Sequence, residues 1–272
     1  MFQPIELPVI FNGIMMASSD IPFKTIQRAF RFGDSWFESM RYVNDEIALW
    51  NFHKDRLIRT FPAVNSVIDQ IPVFIKNYAN QLGKDSLRIR LTIFRTDGQF
   101  YSAVSDSFSY LVEFAELLPI DYKNSTIDFA KTVVIPSNRY YPGKSGNSAP
   151  YILAEKERIE LGLTQIILLN EKGEIAETSN ANIFWRKGNT WFTPSLNSGC
   201  VDGVMRRHFL DMLNRQAVVC EEVLVSASEL ENCDEICVSN AIIGVKNIHL
   251  FHNKALQLNG EKIFKETEVT ST

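Results

Sequence analysis

Apolar residues along this 272-residue chain switch repeatedly between two spacings. In SWFESMRYV, which begins at Ser35, they alternate with polar residues, as in a strand that buries one face. In SVIDQIPVFIKNYANQLG, which begins at Ser66, they recur every third or fourth residue, as in an amphipathic helix. Pro72 indicates an irregular or late start to that helix. The spacing therefore predicts strands and helices mixed along the whole chain.

The periodicity lapses once, near the middle of the chain. Residues 113–124, EFAELLPIDYKN, contain a proline and fit neither spacing, which predicts a linker. The linker would join a small amino-terminal domain, residues 1–112, to a larger carboxy-terminal domain, residues 125–272. The predicted fold class is α/β (α+β) with two domains. Clefts between domains are favoured ligand sites.

Turn and helix signals add detail to both halves. Asn-Gly at 12–13, Asn-Asp at 44–45 and Gly-Asn at 188–189 predict hairpins between apolar runs. Helices are predicted at 149–162 and from Gly203 onward, where apolar residues return every third or fourth position.

Composition and charge exclude several classes of function. The net charge is −4, and no stripe of Lys or Arg favours nucleic acid or an anionic membrane. No apolar stretch approaches the ~20 residues that cross a bilayer, and the first residues lack a signal-peptide pattern. The four cysteines form neither a disulfide framework nor a metal-ligand set. We expect a soluble cytoplasmic protein with no metal.

One lysine stands in an unusual setting. Lys144 lies among small residues in YPGKSGNSAP, directly before a predicted helix. A lone loop lysine is usually a solvated charge. The alternative is a lysine held by packed backbone so that its amine can react. Lys131 is another candidate for such a role.

Three further features suit a phosphate-bearing cofactor. The helix start at Gly203 offers unpaired N–H groups, and the glycine would admit a ligand close to the backbone. Arg56 could complement it on one phosphate, or could pair with a surface carboxylate. Glu177, in the predicted loop after EIAE, could face a pyridine nitrogen. Asp202 could instead be only the N-cap of the helix. Residue spacing alone leaves these alternatives open.

Two longer motifs carry a family resemblance. FGDSWFESMR with FHKDRL resembles the amino-terminal signature of the class IV (fold type IV) pyridoxal-phosphate enzymes. GEIAETSNANIFWRKGNTWFTPSLNSGCVDGVMRR resembles their central signature. The resemblance covers about residues 30–245. It implies a two-domain fold like that of D-amino-acid aminotransferase, bound pyridoxal 5'-phosphate and a homodimer.

The resemblance also implies roles for particular residues. Lys144 is similar to the catalytic lysine that forms the Schiff base, and Glu177, 33 positions later, to the partner of the pyridine nitrogen. Arg56 is similar to the phosphate-binding arginine. The remaining implied cofactor-binding residues are Asn147, the backbone of Val204 and Met205, and Asn240 with Ala241.

Details within the motifs bear on the reaction. Branched-chain aminotransferases usually carry tyrosine where Ser148 stands, threonine at Met205 and Gly-Thr at 240–241. These departures resemble 4-amino-4-deoxychorismate lyase, which releases 4-aminobenzoate and pyruvate for folate biosynthesis. Phe37-Glu38-Ser39 instead resembles the aminotransferase form, although Ser39 could supply the hydroxyl of the threonine often found in the lyase.

The predicted substrate is a small amino-carboxylate, with Ser39 and Arg90 as candidate substrate-binding residues. Arg90 lies at the position of a substrate-side arginine in aminotransferases, although Arg88 and Arg90 could simply form a solvated strand face. The favoured function is that of the lyase, and the alternative is a branched-chain or D-amino-acid aminotransferase. A family member that has lost catalysis is a third possibility.

Overall fold

The computed structural model describes residues 7–98, 100–137 and 143–263, without the side chains of 23–27. It contains five α-helices among these residues: α1 Phe23–Phe32, α2 Trp50–Thr60, α3 Ile71–Leu82, α4 Ala149–Glu160 and α5 Val204–Arg215. Its strands, in chain order, are β1 Val9–Phe11, β2 Ile14–Met16, β3 Ser35–Val43, β4 Glu46–Ile47, β5 Ser86–Arg95, β6 Phe108–Glu116, β7 Thr126–Ile135, β8 Lys144–Ser145, β9 Gln165–Asn170, β10 Ile175–Thr178, β11 Asn182–Lys187, β12 Thr190–Pro194, β13 Cys220–Val223, β14 Glu235–Asn240, β15 Gly244–Asn247, β16 Leu250–Phe251 and β17 Lys254–Ala255. Short 3₁₀ helices occur at Ser18–Asp20, Pro62–Ser66, Leu196–Ser198 and Ala227–Leu230.

The chain divides into two compact units. The first is Met1–Pro119 with Tyr141–Asn147, and the second is Ile120–Tyr140 with Ser148–Thr272. Strand β6 runs to Glu116, so the first residues of the segment predicted as a linker belong to a strand. The reason is its long pairing with β5, in which Glu113 lies opposite Arg90. Pairing with β5 therefore keeps residues 113–116 in a strand, although their sequence lacks the alternation of polar and apolar residues.

The first unit is built on one antiparallel sheet with the strand order β2-β1-β6-β5-β3-β4, and β8 also pairs with β3. The alternation in β3 is confirmed, because Trp36, Met40 and Tyr42 are buried on one face. Helix α3 starts at Ile71, with Pro72 in its first turn, which confirms the late start. Its buried residues Ile71, Ile75 and Tyr78 join those of the sheet in one core.

The second unit contains two sheets. Their strand orders are β10-β9-β7-β16-β17 and β13-β12-β11-β14-β15. Strands β7 and β9 run parallel, whereas β11 pairs antiparallel with both β12 and β14. Helix α4 packs on β7 and β9, and α5 packs on β14. The mixture of helices with parallel and antiparallel strands confirms the predicted α/β (α+β) class.

The three predicted hairpins are present. Asn12 and Gly13 both have positive φ between β1 and β2, as do Asn44 and Asp45 between β3 and β4. Gly188 has a positive φ between β11 and β12. Asn, Asp and Gly tolerate this conformation better than other residues, which is why these pairs signal tight turns.

Two global properties concern ligands and membranes. None of the described helices combines the length and the apolar character needed to cross a membrane. Within the described ranges, no group of His, Cys, Asp and Glu side chains is arranged to hold a metal ion.

Candidate active site

Lys144 lies in a short strand rather than in the predicted loop. Strand β8 pairs antiparallel with β3, so that Lys144 lies opposite Phe37. The Gly146 N–H donates to the Ser35 carbonyl at 2.7 Å and continues the pairing. The Lys144 ammonium lies 5.6 Å from the centroid of the Phe37 ring, and the residue is half-buried. The backbone of the lysine is therefore fixed by a neighbouring strand.

The glycines on either side of this strand are required by close packing. A Cβ at Gly143 would lie 2.5 Å from Thr60 Oγ1, and a Cβ at Gly146 would collide with Ser35 Oγ. The Thr60 hydroxyl is itself held, since it donates to the Arg56 carbonyl at 2.7 Å. The small residues of the motif therefore let β8 approach β3 and α2.

Arg56 pairs with a buried carboxylate of its own unit, not with a surface one. Its Nε donates to Glu38 Oε1 at 2.7 Å, and its Nη2 donates to Glu38 Oε2. His53 Nδ1 also donates to Glu38 Oε2, at 2.7 Å. All three residues are almost fully buried. They form one hydrogen-bonded cluster between β3 and α2.

The pKa values in this cluster follow from burial and charge. Burial raises the pKa of Glu38, but Arg56 and His53 outweigh it and hold that pKa at about 2. Burial lowers the pKa of His53 more strongly than the Glu38 carboxylate raises it. A neutral His53 then donates through Nδ1 to the carboxylate, and its buried Nε2 lacks a partner among the described residues. The cluster thus contains one cation and one anion at neutral pH.

The predicted substrate residues lie on the other face of β3. Successive strand residues project to opposite faces, so Phe37 and Ser39 face away from Glu38. Ser39 lies opposite Arg90 on β5, and the Arg90 guanidinium stacks 3.8 Å from the Phe37 ring centroid. Lys144, Ser39 and Arg90 therefore share one face of one sheet. Asn147 is exposed just beyond β8, where its N–H donates to Ser145 Oγ.

Glu177 was predicted in the loop that leaves the strand EIAE. The structure places it inside strand β10 of the second unit. The strand extends through it because Glu177 pairs with Leu168 on β9. Its carboxylate accepts hydrogen bonds from the Tyr151 hydroxyl at 2.6 Å and from the Val201 N–H at 3.0 Å. The side chain is 3% exposed, so these two donors fix its orientation.

The start of α5 follows closely after the segment that binds Glu177. Gly203 is the N-cap residue, and no side chain caps the helix, so Asp202 is not the N-cap. A Cβ at Gly203 would collide with the amide oxygen of Asn182. The glycine is therefore required by a neighbouring side chain, whereas the sequence suggested close approach of a ligand. Val204 and Met205, in the first turn, are buried.

The end of β14 completes this region of the second unit. Ser239 pairs with Asn182 across the strands, and Asn182 Nδ2 donates to the Val201 carbonyl. Ser239 Oγ is buried and has no hydrogen-bond partner among the described residues. Asn240 follows it and donates to the Asn180 carbonyl, and Ala241 lies in the next turn. The structure thus gathers Glu177, Val204, Met205, Asn240 and Ala241 in one unit.

Four residues of these arrangements were not singled out from the sequence. Glu38 was named only as part of Phe37-Glu38-Ser39, and His53 only as a letter of FHKDRL. Tyr151 lay within the helix predicted at 149–162, and Ser239 was not considered. A buried carboxylate on the apolar face of β3 was a detectable signal, because Glu38 occupies a core position of an alternating strand. The hydroxyls of Tyr151 and Ser239 gave no such signal, since their partners are set by the tertiary fold.

The sequence matches the family model described as Amino-transferase class IV over residues 35–251. This range includes the β3 cluster, Lys144, Glu177 and the start of α5. The chain belongs to the class IV aminotransferase family. Members of this family are pyridoxal-phosphate-dependent enzymes, and so is this protein.

Individual relatives of this class IV protein have different activities. It is 24% identical to aminodeoxychorismate lyase of Bacillus subtilis, covering 87% of this chain and 84% of the relative. It is 25% identical to branched-chain amino acid aminotransferase 2 of Humulus lupulus, covering 85% and 62%. The structure superposes on Escherichia coli branched-chain amino acid aminotransferase with a TM-score of 0.83 at 18% identity, covering 97% and 94%. The last match confirms the fold type IV architecture.

The residues of each unit fit the family's cofactor. In the second unit, the start of α5, which no side chain caps, and the hydroxyl of Ser239, which has no partner among the described residues, are donors suited to a phosphate group. The oriented carboxylate of Glu177 suits a protonated ring nitrogen. In the first unit, Lys144 is a half-buried amine on a fixed backbone. Each unit therefore contains groups of the kinds that pyridoxal phosphate requires.

Proposed function

We propose that this class IV enzyme is a 4-amino-4-deoxychorismate lyase, which releases 4-aminobenzoate and pyruvate in folate biosynthesis. The observation that carries the proposal is the position of Ser39. Its hydroxyl projects from the same sheet face as Lys144, two residues along β3 from Phe37. Aminotransferases of the resembled form have glycine there, and so lack this hydroxyl beside the lysine.

Each proposed role rests on the placement described above. When bound, pyridoxal phosphate draws electrons from the bond that breaks at the substrate's amine-bearing carbon. Lys144 holds the cofactor and then takes up and returns protons through its Nζ. Glu177, oriented by Tyr151, binds the ring nitrogen. The Ser39 hydroxyl binds and orients the substrate beside Lys144.

The phosphate group would be bound chiefly by the start of α5. The backbone N–H groups of Val204 and Met205 and the hydroxyl of Ser239 supply donors, with Asn240 and Ala241 in the adjoining turn. Asn147 would bind the ring oxygen. Arg56 would add its charge, with its guanidinium held by Glu38, which also accepts a hydrogen bond from His53.

An aminotransferase is the second candidate, favoured by Phe37-Glu38 and by the Humulus lupulus relative. The two functions differ in what happens to the amino group. An aminotransferase leaves it on the cofactor, whereas the lyase keeps it in 4-aminobenzoate. Purified holoprotein should therefore form 4-aminobenzoate from aminodeoxychorismate and keep its visible spectrum with L- and D-amino acids alone. Conversion to the spectrum of the aminated cofactor by any one amino acid would instead identify an aminotransferase and its donor.

Borohydride reduction and peptide mapping test the assignment of the lysine. Reduction should attach the cofactor to the peptide that contains Lys144. Lys144→Ala should lose the label, while Lys131→Ala, which removes an exposed lysine, should keep it. A label on Lys131, or no label in the unchanged protein, would overturn the assignment.

The proposed assembly is the homodimer that the family resemblance implies. Light scattering of the holoprotein should give about twice the mass of the 31.1 kDa chain. A monomeric mass in active holoprotein would contradict this part of the proposal.

A further inference from the structure

Three arginines share the sheet face that carries Lys144. Directly paired residues of antiparallel strands project to the same side of the sheet. Along β3 and β5, Ser39 lies opposite Arg90, and Arg41 lies opposite Arg88. Phe37 of β3 pairs with Lys144. Farther along β3, the same face carries first Arg90, opposite Ser39, and then the Arg41–Arg88 pair.

Arg41 and Arg88 face each other without a compensating charge. Neither forms an ion pair within the described part of the chain, and Arg41 Nε is buried with no hydrogen-bond acceptor there. Like charges directly opposite on a sheet are destabilising, and an unsatisfied buried donor adds a further cost. An anion bound between the two guanidinium groups would remove both costs.

Arg90 connects this pair to the lysine. Its guanidinium lies 3.8 Å from the Phe37 ring centroid and 3.8 Å from a Glu113 carboxylate oxygen. Burial lowers the pKa of Arg90, Glu113 opposes this, and the charge of Arg88 lowers it further. Arg88 is therefore close enough to act on Arg90, but Glu113 already compensates part of the charge of Arg90. The uncompensated charge lies at Arg41 and Arg88.

We propose that Arg41 and Arg88 together bind a carboxylate of the substrate, remote from its amine. The substrate class is then an amino acid with a second carboxylate. Each step of two residues along a strand covers about 7 Å, so this carboxylate lies roughly two such steps from the Lys144 position, less the reach of the side chains. The proposal rests on the proposed function, because it assumes that Lys144 marks the reacting amine.

Direct titration with matched carboxylates tests the arginine pair. The probes are straight-chain dicarboxylates from succinate to suberate, each with the monocarboxylate of equal length, titrated calorimetrically into the holoprotein. At the best length, we expect the dicarboxylate to bind at least tenfold more tightly. Arg41→Met and Arg88→Met should each abolish this preference. Arg215→Met, which removes an exposed arginine of α5, should keep the preference.

A second readout separates ligand binding from a structural role. Arg88→Met should raise the melting temperature of the holoprotein without added carboxylate, because it removes repulsion from Arg41. A structural arginine would lower it on removal. No dicarboxylate preference, or one that survives both substitutions, would overturn the proposal.

The same samples distinguish failure of this inference from failure of the proposed function. Borohydride labelling of Lys144 is measured in each variant. A labelled protein without dicarboxylate preference counts against the arginine pair alone. An unlabelled unchanged protein counts against the role of Lys144, whatever the carboxylates do.

Discussion

At the scale of single residues, Glu38 links two buried side chains of α2. It occupies a core position of β3, where an apolar residue would be expected, and its carboxylate holds both Arg56 and His53. A buried ion pair gains little over apolar packing, yet removing one partner is costly because the other charge stays buried. The cluster is therefore best understood as holding Arg56 in place, not as a source of stability.

Substitution of Glu38 by glutamine should reveal this cost and its pH dependence. We expect Glu38→Gln to lower the free energy of unfolding by about 3 kcal/mol at neutral pH, since Arg56 loses its buried partner. The pKa of Glu38 is lowered from 4.5 to about 2 on folding, so its stabilising effect is present above 4.5 and lost as the pH falls through about 2. The difference between the two proteins should shrink across that window in urea denaturation.

The exposed Glu46, on neighbouring β4, provides the matched control. Glu46→Gln should change the unfolding free energy by less than about 0.5 kcal/mol. Equal effects of the two substitutions, or a Glu38→Gln effect that is constant from neutral pH to pH 2, would contradict the account of the buried cluster.

At the scale of elements, the start of α5 depends on the fit between Gly203 and Asn182. Gly203→Ala would drive a Cβ into the Asn182 amide, and overpacking of this kind typically costs about 1–3 kcal/mol. We expect the helix start to shift and pyridoxal phosphate to bind more weakly to apoprotein, as followed by absorbance titration. Adding Asn182→Ala removes the colliding oxygen and should restore part of the affinity.

The single variant Asn182→Ala is the control for the double variant. Asn182→Ala alone loses a hydrogen bond to the Val201 carbonyl, worth about 1 kcal/mol, and should weaken binding only slightly. If Gly203→Ala binds the cofactor normally, or if the double variant is weaker than both single variants combined, the helix start is not the phosphate site.

Elements also show which local predictions succeed. The hairpins at 12–13, 44–45 and 188–189 were predictable because their turn residues act over four positions of sequence. The late start of α3 followed from Pro72 in the same way. Strand β8 around Lys144 could not be predicted, because it pairs with β3, which is remote in the chain. The end of β10 around Glu177 could not be predicted either, because it depends on the register of the pairing with β9.

At the scale of the whole molecule, each unit has a core of its own. Ile89 is fully buried in the core of the first unit, and Ile183 is fully buried in a core of the second. Truncation of such a residue to alanine typically lowers the free energy of unfolding by roughly 2–5 kcal/mol, because apolar burial is lost and a cavity is left behind. We expect Ile89→Ala to accelerate amide hydrogen exchange mainly in the first unit, and Ile183→Ala mainly in the second.

Exchange followed by mass spectrometry assigns the effect to peptides of either unit. The lysine strand is the informative peptide, because it should respond to Ile89→Ala and not to Ile183→Ala. Equal acceleration of both units by either substitution would show that they open as one cooperative body.

At this scale the family could be predicted from the sequence, whereas the three-dimensional arrangement of the units could be predicted only in part. The two long motifs identified the family, since they are contiguous in sequence and match it residue by residue. The division into units was only approximately visible. A linker was predicted at 113–124, but nothing local to Lys144 and Ser145 indicates that these two residues pair with β3 of the first unit. The face shared by Lys144, Arg90 and the Arg41–Arg88 pair became apparent only with the register.

The discontinuity of the first unit has a practical consequence for dividing the gene. A cut after Pro119 would leave β3 on one polypeptide and the strand bearing Lys144 on the other. The second fragment would have to supply that strand before the first unit could be complete. If Lys144 holds the cofactor as proposed, cofactor colour would report the complementation of the two fragments, and the boundary after Pro119 could serve a split reporter.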